Sequence, residues 1–158
     1  MISATATVLA IMAALHPSAP RTGAARMVAD AIAYVVTAER ESVFETREVD
    51  AAILVVIAWE EGRFCLICKR GDRSLHPFGS VSTFQIRATS EAQARALESN
   101  PRYAAGTALH FVRESARSCP GSPLAPYCGS CTHSIPRGIG DRRIYLAKKI
   151  LGLEPAKE

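Results

Sequence analysis

The sequence predicts a mainly α-helical protein with a small β-hairpin lobe, an α+β class dominated by its helices. Three observations predict it. Apolar residues recur at helical spacing in several stretches, as at Val28, Ile32, Val35 and Val36. Side chains suited to capping precede the later helical stretches, namely Thr46, Thr89 or Ser90, and Asp141. Residues 63–88 lose the helical pattern. Gly71, Asp72, Pro77 and Gly79 there punctuate short segments, 64–67 and 82–86, that read as a small hairpin or irregular lobe.

Taken in order, the N-terminal stretch ahead of Pro17 reads as an amphipathic first helix. No Lys or Arg precedes its apolar core, as one would in a secretory signal, so a signal peptide is the alternative reading and the helix the main one; the stretch is too short to span a bilayer. Pro17 and Pro20 separate it from a second helix over about 22–41, and 42–46 is a connection. Thr46 caps a third helix, with Glu48 and Asp50 in its first turn, where negative charge is favourable. That segment holds the apolar run from Ala51 to Trp59 and stops at Gly62. Its β-branched centre would also suit a buried strand, but its length, cap and alanines favour a buried helix.

A fourth helix runs to about Ser99, and Asn100-Pro101 breaks and restarts the chain. Ala105, Ala108, Leu109, Val112 and Ala116 line one face of the fifth. Residues 118–140, rich in Pro, Gly, Ser and Cys, form a long loop. Asp141 caps the last helix, with Ile144, Ala147 and Leu151 inward and Lys148 and Lys149 near its negative end; Gly152 ends it. The whole, 1–158, is read as one domain, with N-terminal helices over 1–45 and a core over 46–151.

Composition excludes some roles. At 48% hydrophobic and 22% charged residues the chain is an ordinary folded protein, and no segment is long and apolar enough to be transmembrane. A net charge of +4 favours a polyanionic partner, yet no Lys/Arg-rich block marks a nucleic-acid site. Cysteines stand at 65, 68, 119, 128 and 131. Disulfides with an odd thiol, in a protein working outside the cytoplasm, are one reading. A zinc site from the two Cys-x-x-Cys pairs is the other, although ribbon-type sites place such pairs closer together.

The chemistry is expected where the apolar run ends in two carboxylates, Glu60 and Glu61. A carboxyl group delivered to the edge of a core is a candidate general acid, because burial disfavours the charged form. Helix ends are uncertain by a residue or two, which leaves Glu61 as the alternative to Glu60.

Three segments carry a resemblance: 59–64 (Trp-Glu-Glu-Gly-Arg-Phe), 79–86 (Gly-Ser-Val-Ser-Thr-Phe-Gln-Ile) and 127–129 (Tyr-Cys-Gly). In order and separation they are similar to the Glu-Ser-Gly, Gly-x-x-Gly-Leu-Met-Gln and Tyr-Asn-x-Gly motifs of the lysozyme-like superfamily, especially soluble lytic transglycosylases and goose-type lysozymes. The resemblance spans about 46–151. Glu61 stands where the family has serine, Ser82 where it has glycine and Cys128 where it has asparagine.

The resemblance implies a peptidoglycan-cleaving muramidase in which Glu60 protonates the glycosidic oxygen, with no cofactor and no metal. In the transglycosylase route Glu60 then acts as base. In the hydrolytic route a second carboxylate assists, and Asp72 is the candidate. Ser80, Thr83 and Gln85 would hydrogen-bond the sugar, and Tyr127 would line the opposite wall. Cys119 with Cys128 or Cys131 would tie down the loop carrying Tyr127, and Cys65 or Cys68 would tie the lobe to that loop. The implied setting is the periplasm, the cell wall or a virion, with delivery by a phage particle or a secretion apparatus. Two readings of other classes stand beside it: a non-catalytic adaptor that keeps the scaffold, and a zinc-binding interaction module.

Overall fold

The computed structural model describes residues 3–67, 78–119, 124 and 138–153, and the side chains of the last segment from 142 onward. Among these residues the chain forms α1 (Ala4–Leu15), a 3-10 turn (Ala19–Arg21), α2 (Gly23–Ala38) and α3 (Arg47–Gly62). A two-stranded hairpin follows, β1 (Ser80–Val81) and β2 (Ile86–Arg87), then α4 (Glu91–Ser99), α5 (Pro101–Ser118) and α6 (Gly138–Ile150). The protein is mainly α with one small antiparallel sheet, as the sequence predicts.

Local chemistry sets the helix ends. Ser3, Thr22, Thr46, Ser90 and Asn100 each accept a hydrogen bond from a backbone N–H in the first turn of the helix that follows. Asn100 also closes α4 before Pro101 opens α5, so one residue serves both ends. Asp50 does more than favour a helix N-terminus. Buried in the first turn of α3, it accepts from the N–H of Val43 at 2.8 Å and of Phe44 at 2.9 Å, folding the α2–α3 connection onto the helix. Burial pushes its carboxyl above the usual range, against the lowering effect of those two bonds and of Arg113.

Helix α3 is the hub. Every residue from Val49 to Ala58 is buried, and α1, α2, α5 and α6 all pack on it. A helix apolar on all sides belongs in the middle of a core. Helix α6 lies antiparallel to it: Lys148 near the end of α6 pairs with Glu45 just before α3, while Arg142 and Arg143 near the start of α6 meet Glu60 and Glu61 at the end of α3.

Several expectations need correction. Residues 64–67 are not a strand; they follow a left-handed turn at Arg63 and Phe64. Residues 82–85 are the hairpin's turn, closed by Gln85 N–H on the Ser82 carbonyl at 3.2 Å, and the strands flank them in the register Ser80–Arg87 and Val81–Ile86. Helix α3 does stop at Gly62, as expected, with Arg63 as its left-handed cap. On α5 the buried position at the far end is Ser115, with Ala116 only half-buried. Helix α6 begins at Gly138, which places Asp141 inside its first turn instead of at the cap.

Candidate active site

The end of α3 and the hairpin are joined directly. A Cβ on Gly62 would lie 2.5 Å from the carbonyl oxygen of Thr83 and 2.6 Å from its Cα, so only glycine lets the hairpin backbone rest on the helix. Thr83 donates its hydroxyl to the Ala58 carbonyl at 3.2 Å, satisfying an acceptor of the last helical turn. Phe84 and Ile86 are buried beside it, so residues that the sequence separates by a lobe share one core.

Backbone strain collects at this junction. Among the described residues, the non-glycine positions with left-handed backbone are Arg63 and Phe64, directly after α3, and Ser82 and Gln85, in the hairpin turn. Each costs about 1–3 kcal/mol and persists only where surrounding structure imposes it, which is typical of ligand and catalytic sites. Packing supplies the imposition. The Trp59 ring lies 4.8 Å from the His16 ring and 5.4 Å from the Phe64 ring, with the Arg63 guanidinium 4.4 Å over it. These contacts fasten the α1–α2 turn and the αL residues to the end of α3.

The carboxylates stand on the other side of that end. A helix C-terminus disfavours negative charge, so two adjacent glutamates there run against the local rule. Helix α6 answers with two guanidiniums. Arg142 Nη2 donates to Glu60 Oε1 at 2.7 Å and Arg143 Nε to Glu60 Oε2 at 2.6 Å. Arg143 Nη2 donates to Glu61 Oε1 at 2.5 Å. Arg143 is 7% exposed against 67% for Arg142, and the two glutamates are 17% and 24% exposed. Burial alone would push Arg143 down; its hydrogen bonds to Glu60 and Glu61, and their charges, reverse this and hold it above its ordinary value. Both oxygens of Glu60 are thus engaged, whereas among the described residues Glu61 is held through Oε1 alone.

Of the expected site residues, Thr83 is held against the end of α3, with Ser80 and Gln85 on the same hairpin, while Glu60 at that end is engaged by Arg142 and Arg143 of α6. Thr83 is buried, and the hydroxyl expected to meet a sugar is turned to Ala58. Gln85, half-buried, donates its side-chain amide to the Ser82 carbonyl at 2.8 Å. Ser80 is half-exposed on β1. Asp72, Tyr127, His76, Cys68, Cys128 and Cys131 lie outside the described residues. Cys65 and Cys119 are both disulfide-bonded, and a sulfur in a disulfide is no thiolate ligand for zinc. Among the described residues no group of His, Cys, Asp or Glu is placed to hold a metal ion, and no helix is long and apolar enough to cross a membrane.

Sequence reasoning missed Arg142 and Arg143. Two successive arginines within the first turns of a helix, where the dipole disfavours cations, were the available signal. A groove of about 520 Å³ between α2 and the α4–α5 corner, lined by Met27, Asp30 and Arg102, contains none of these residues. Comparison with family models, with curated proteins and with solved structures finds no match for the chain.

Proposed function

We propose that the protein cleaves peptidoglycan glycan strands at the β-1,4 bond between N-acetylmuramic acid and N-acetylglucosamine, with a glutamate at the end of α3 as acid and base. The observation that carries the reading is the junction of α3 with the hairpin. Two of the three segments that resemble lysozyme-like motifs meet there, through Gly62 and Thr83. All the described left-handed non-glycine residues lie in those same two segments or between them.

The ion pairs favour Glu61 over Glu60 as the acid. A general acid must hold a proton on one oxygen and hand it to substrate. Both oxygens of Glu60 accept from permanently charged guanidiniums, whereas among the described residues no group bonds Oε2 of Glu61, which supports its use for that exchange. With Glu61 in the role, the residue standing at the family's serine is Gly62, where the Thr83 backbone leaves no room for a side chain.

In the reaction, Glu61, ion-paired through Oε1 in the free protein, first takes up a proton from solvent on Oε2 and then gives it to the glycosidic oxygen as the C1–O bond breaks. The resulting carboxylate takes the proton of the muramyl 6-hydroxyl, whose oxygen bonds to C1 and closes a 1,6-anhydro ring; no water is consumed. In the hydrolytic alternative a water supplies the attacking oxygen and a second carboxylate, Asp72, assists it. Disulfide-bonded Cys65 and Cys119 suit a protein acting outside the cytoplasm, and the net charge of +4 suits an acidic wall polymer.

The same ion pairs favour a second reading, in which the glutamates serve only to bind α6 and the protein is a non-catalytic adaptor. Digestion of purified sacculi, followed by mass analysis of soluble products, separates the two. The enzyme reading predicts muropeptides from the wild type, none from Glu61→Gln and a reduced yield from Glu60→Gln. Anhydro or reducing ends then distinguish transglycosylase from hydrolase. Absence of products from the wild type favours the adaptor.

A further inference from the structure

We propose that Arg143 is a positioning residue that fixes the side chain of Glu61 for reaction, with Glu60 as the counter-anchor that fixes Arg143. This rests on the reading of Glu61 as the acid.

The guanidinium is planar, and two bonds in that plane set its orientation: Nε to Glu60 Oε2 at 2.6 Å and Nη2 to Glu61 Oε1 at 2.5 Å. A side chain held at both edges cannot rotate away, and it carries Glu61 Oε1 with it, which directs Oε2. The two carboxylates are neighbours in sequence, so a fork that binds both also fixes their relative orientation. Arg142 has no part in this. Among the described residues it pairs with Glu60, from the exposed edge of α6.

A purely structural role fits Arg143 poorly. A buried ion pair is often matched or exceeded in stability by apolar residues of similar volume. Among the described residues Arg143 moreover keeps Nη1 buried without a hydrogen-bond partner, an unfavourable arrangement that a methionine or leucine at this position of α6 would avoid. What an apolar residue could not supply is the fork between Glu60 and Glu61. Lysine cannot supply it either, since an ammonium is a single point donor that reaches one carboxylate well or both poorly.

The test compares the wild type with Arg143→Lys and Arg142→Ala, measuring kcat and KM for muropeptide release together with the thermal midpoint. We expect Arg143→Lys to fold, to keep KM near the wild-type value and to lose kcat by about 10²-fold, the scale of a reacting group misplaced by about 1 Å. Arg142→Ala should change kcat by less than about fivefold, as expected for an exposed pair. An active wild type with Arg143→Lys within about twofold of it in kcat overturns this inference alone. So does a loss confined to KM, or equal losses in Arg142→Ala and Arg143→Lys. A wild type that releases no muropeptides overturns the proposed function, and this inference with it.

Discussion

Replacing Gly62 by alanine places a Cβ 2.5 Å from the Thr83 carbonyl oxygen, 2.6 Å from its Cα and 2.8 Å from its carbonyl carbon. All three atoms are backbone, so no rotamer change relieves the clash, and the hairpin must move off the end of α3. Overpacking of this kind costs about 1–3 kcal/mol. The Thr83 to Ala58 hydrogen bond, 3.2 Å long in a buried setting, stretches with it, at about 1 kcal/mol. Alanine's helix preference returns at most about 1 kcal/mol, and less at the last position of a helix. The net expectation is a loss of about 1–3 kcal/mol, or roughly 2–10 °C in thermal midpoint for a domain of this size.

The same substitution should have the opposite sign elsewhere. A Cβ on Gly106 meets only Val35 Cγ1 at 3.8 Å, an ordinary contact inside α5, so Gly106→Ala should stabilise by about 0.5–1 kcal/mol. Urea unfolding of the wild type and both variants checks the pair. A Gly62→Ala protein as stable as the wild type would refute direct packing of the hairpin on the helix. Should Gly106→Ala be destabilising as well, the sign of the difference would no longer report that contact.

Other outcomes follow from the same structure. Asp50→Ala should cost about 1–3 kcal/mol by orphaning the Val43 and Phe44 N–H groups, read by urea unfolding. Because burial raises the Asp50 pKa in the folded state, its contribution to stability should improve as pH falls through that raised value. The gain is complete below the unfolded value of about 3.9, and pH-dependent unfolding of the wild type should show it against the usual acid trend. Glu45 behaves oppositely. Lys148 holds its carboxyl below the usual range, so that pair stabilises above the unfolded value near 4.3 and is lost on acidification. At an exposed site it is worth under about 1 kcal/mol, and Lys148→Ala should shift stability by no more. Reducing the disulfides that involve Cys65 and Cys119 should lower stability by about 2–4 kcal/mol, seen as a drop in thermal midpoint on adding a thiol reductant.

Much of the helical frame was legible because helical periodicity marks most of the helices and cap or break residues mark the starts of α3, α4 and α5. Thr46, Ser90 and Asn100-Pro101 are local signals, and local signals survive into the structure. The ambiguous run from Ala51 to Trp59 resolves as a helix because it serves as the hub for four others, a role that requires apolar residues on every side. The short segment 82–86 is mostly the hairpin's turn, and the strands lie to either side of 82–85. The β-like residues Thr83 and Phe84 sit in the turn, where the contact with Gly62, 21 positions earlier in sequence, decides the backbone. Such a non-local contact leaves no periodic trace. The carboxylates were visible as an acidic end to an apolar run. What distinguishes Glu60 from Glu61 was not visible, because it depends on Arg142 and Arg143 arriving from a helix about 80 residues away.

The central claim is that the end of α3 and the hairpin form a glycan-cleaving site with Glu61 as its acid. Release of soluble muropeptides from purified sacculi, compared between the wild type and a Glu61→Gln variant of matched thermal midpoint, tests it most directly. The account predicts steady release by the wild type and a loss of at least about 10²-fold in the variant, the scale of general acid catalysis. Equal release by the two proteins, or none by the wild type, would contradict it.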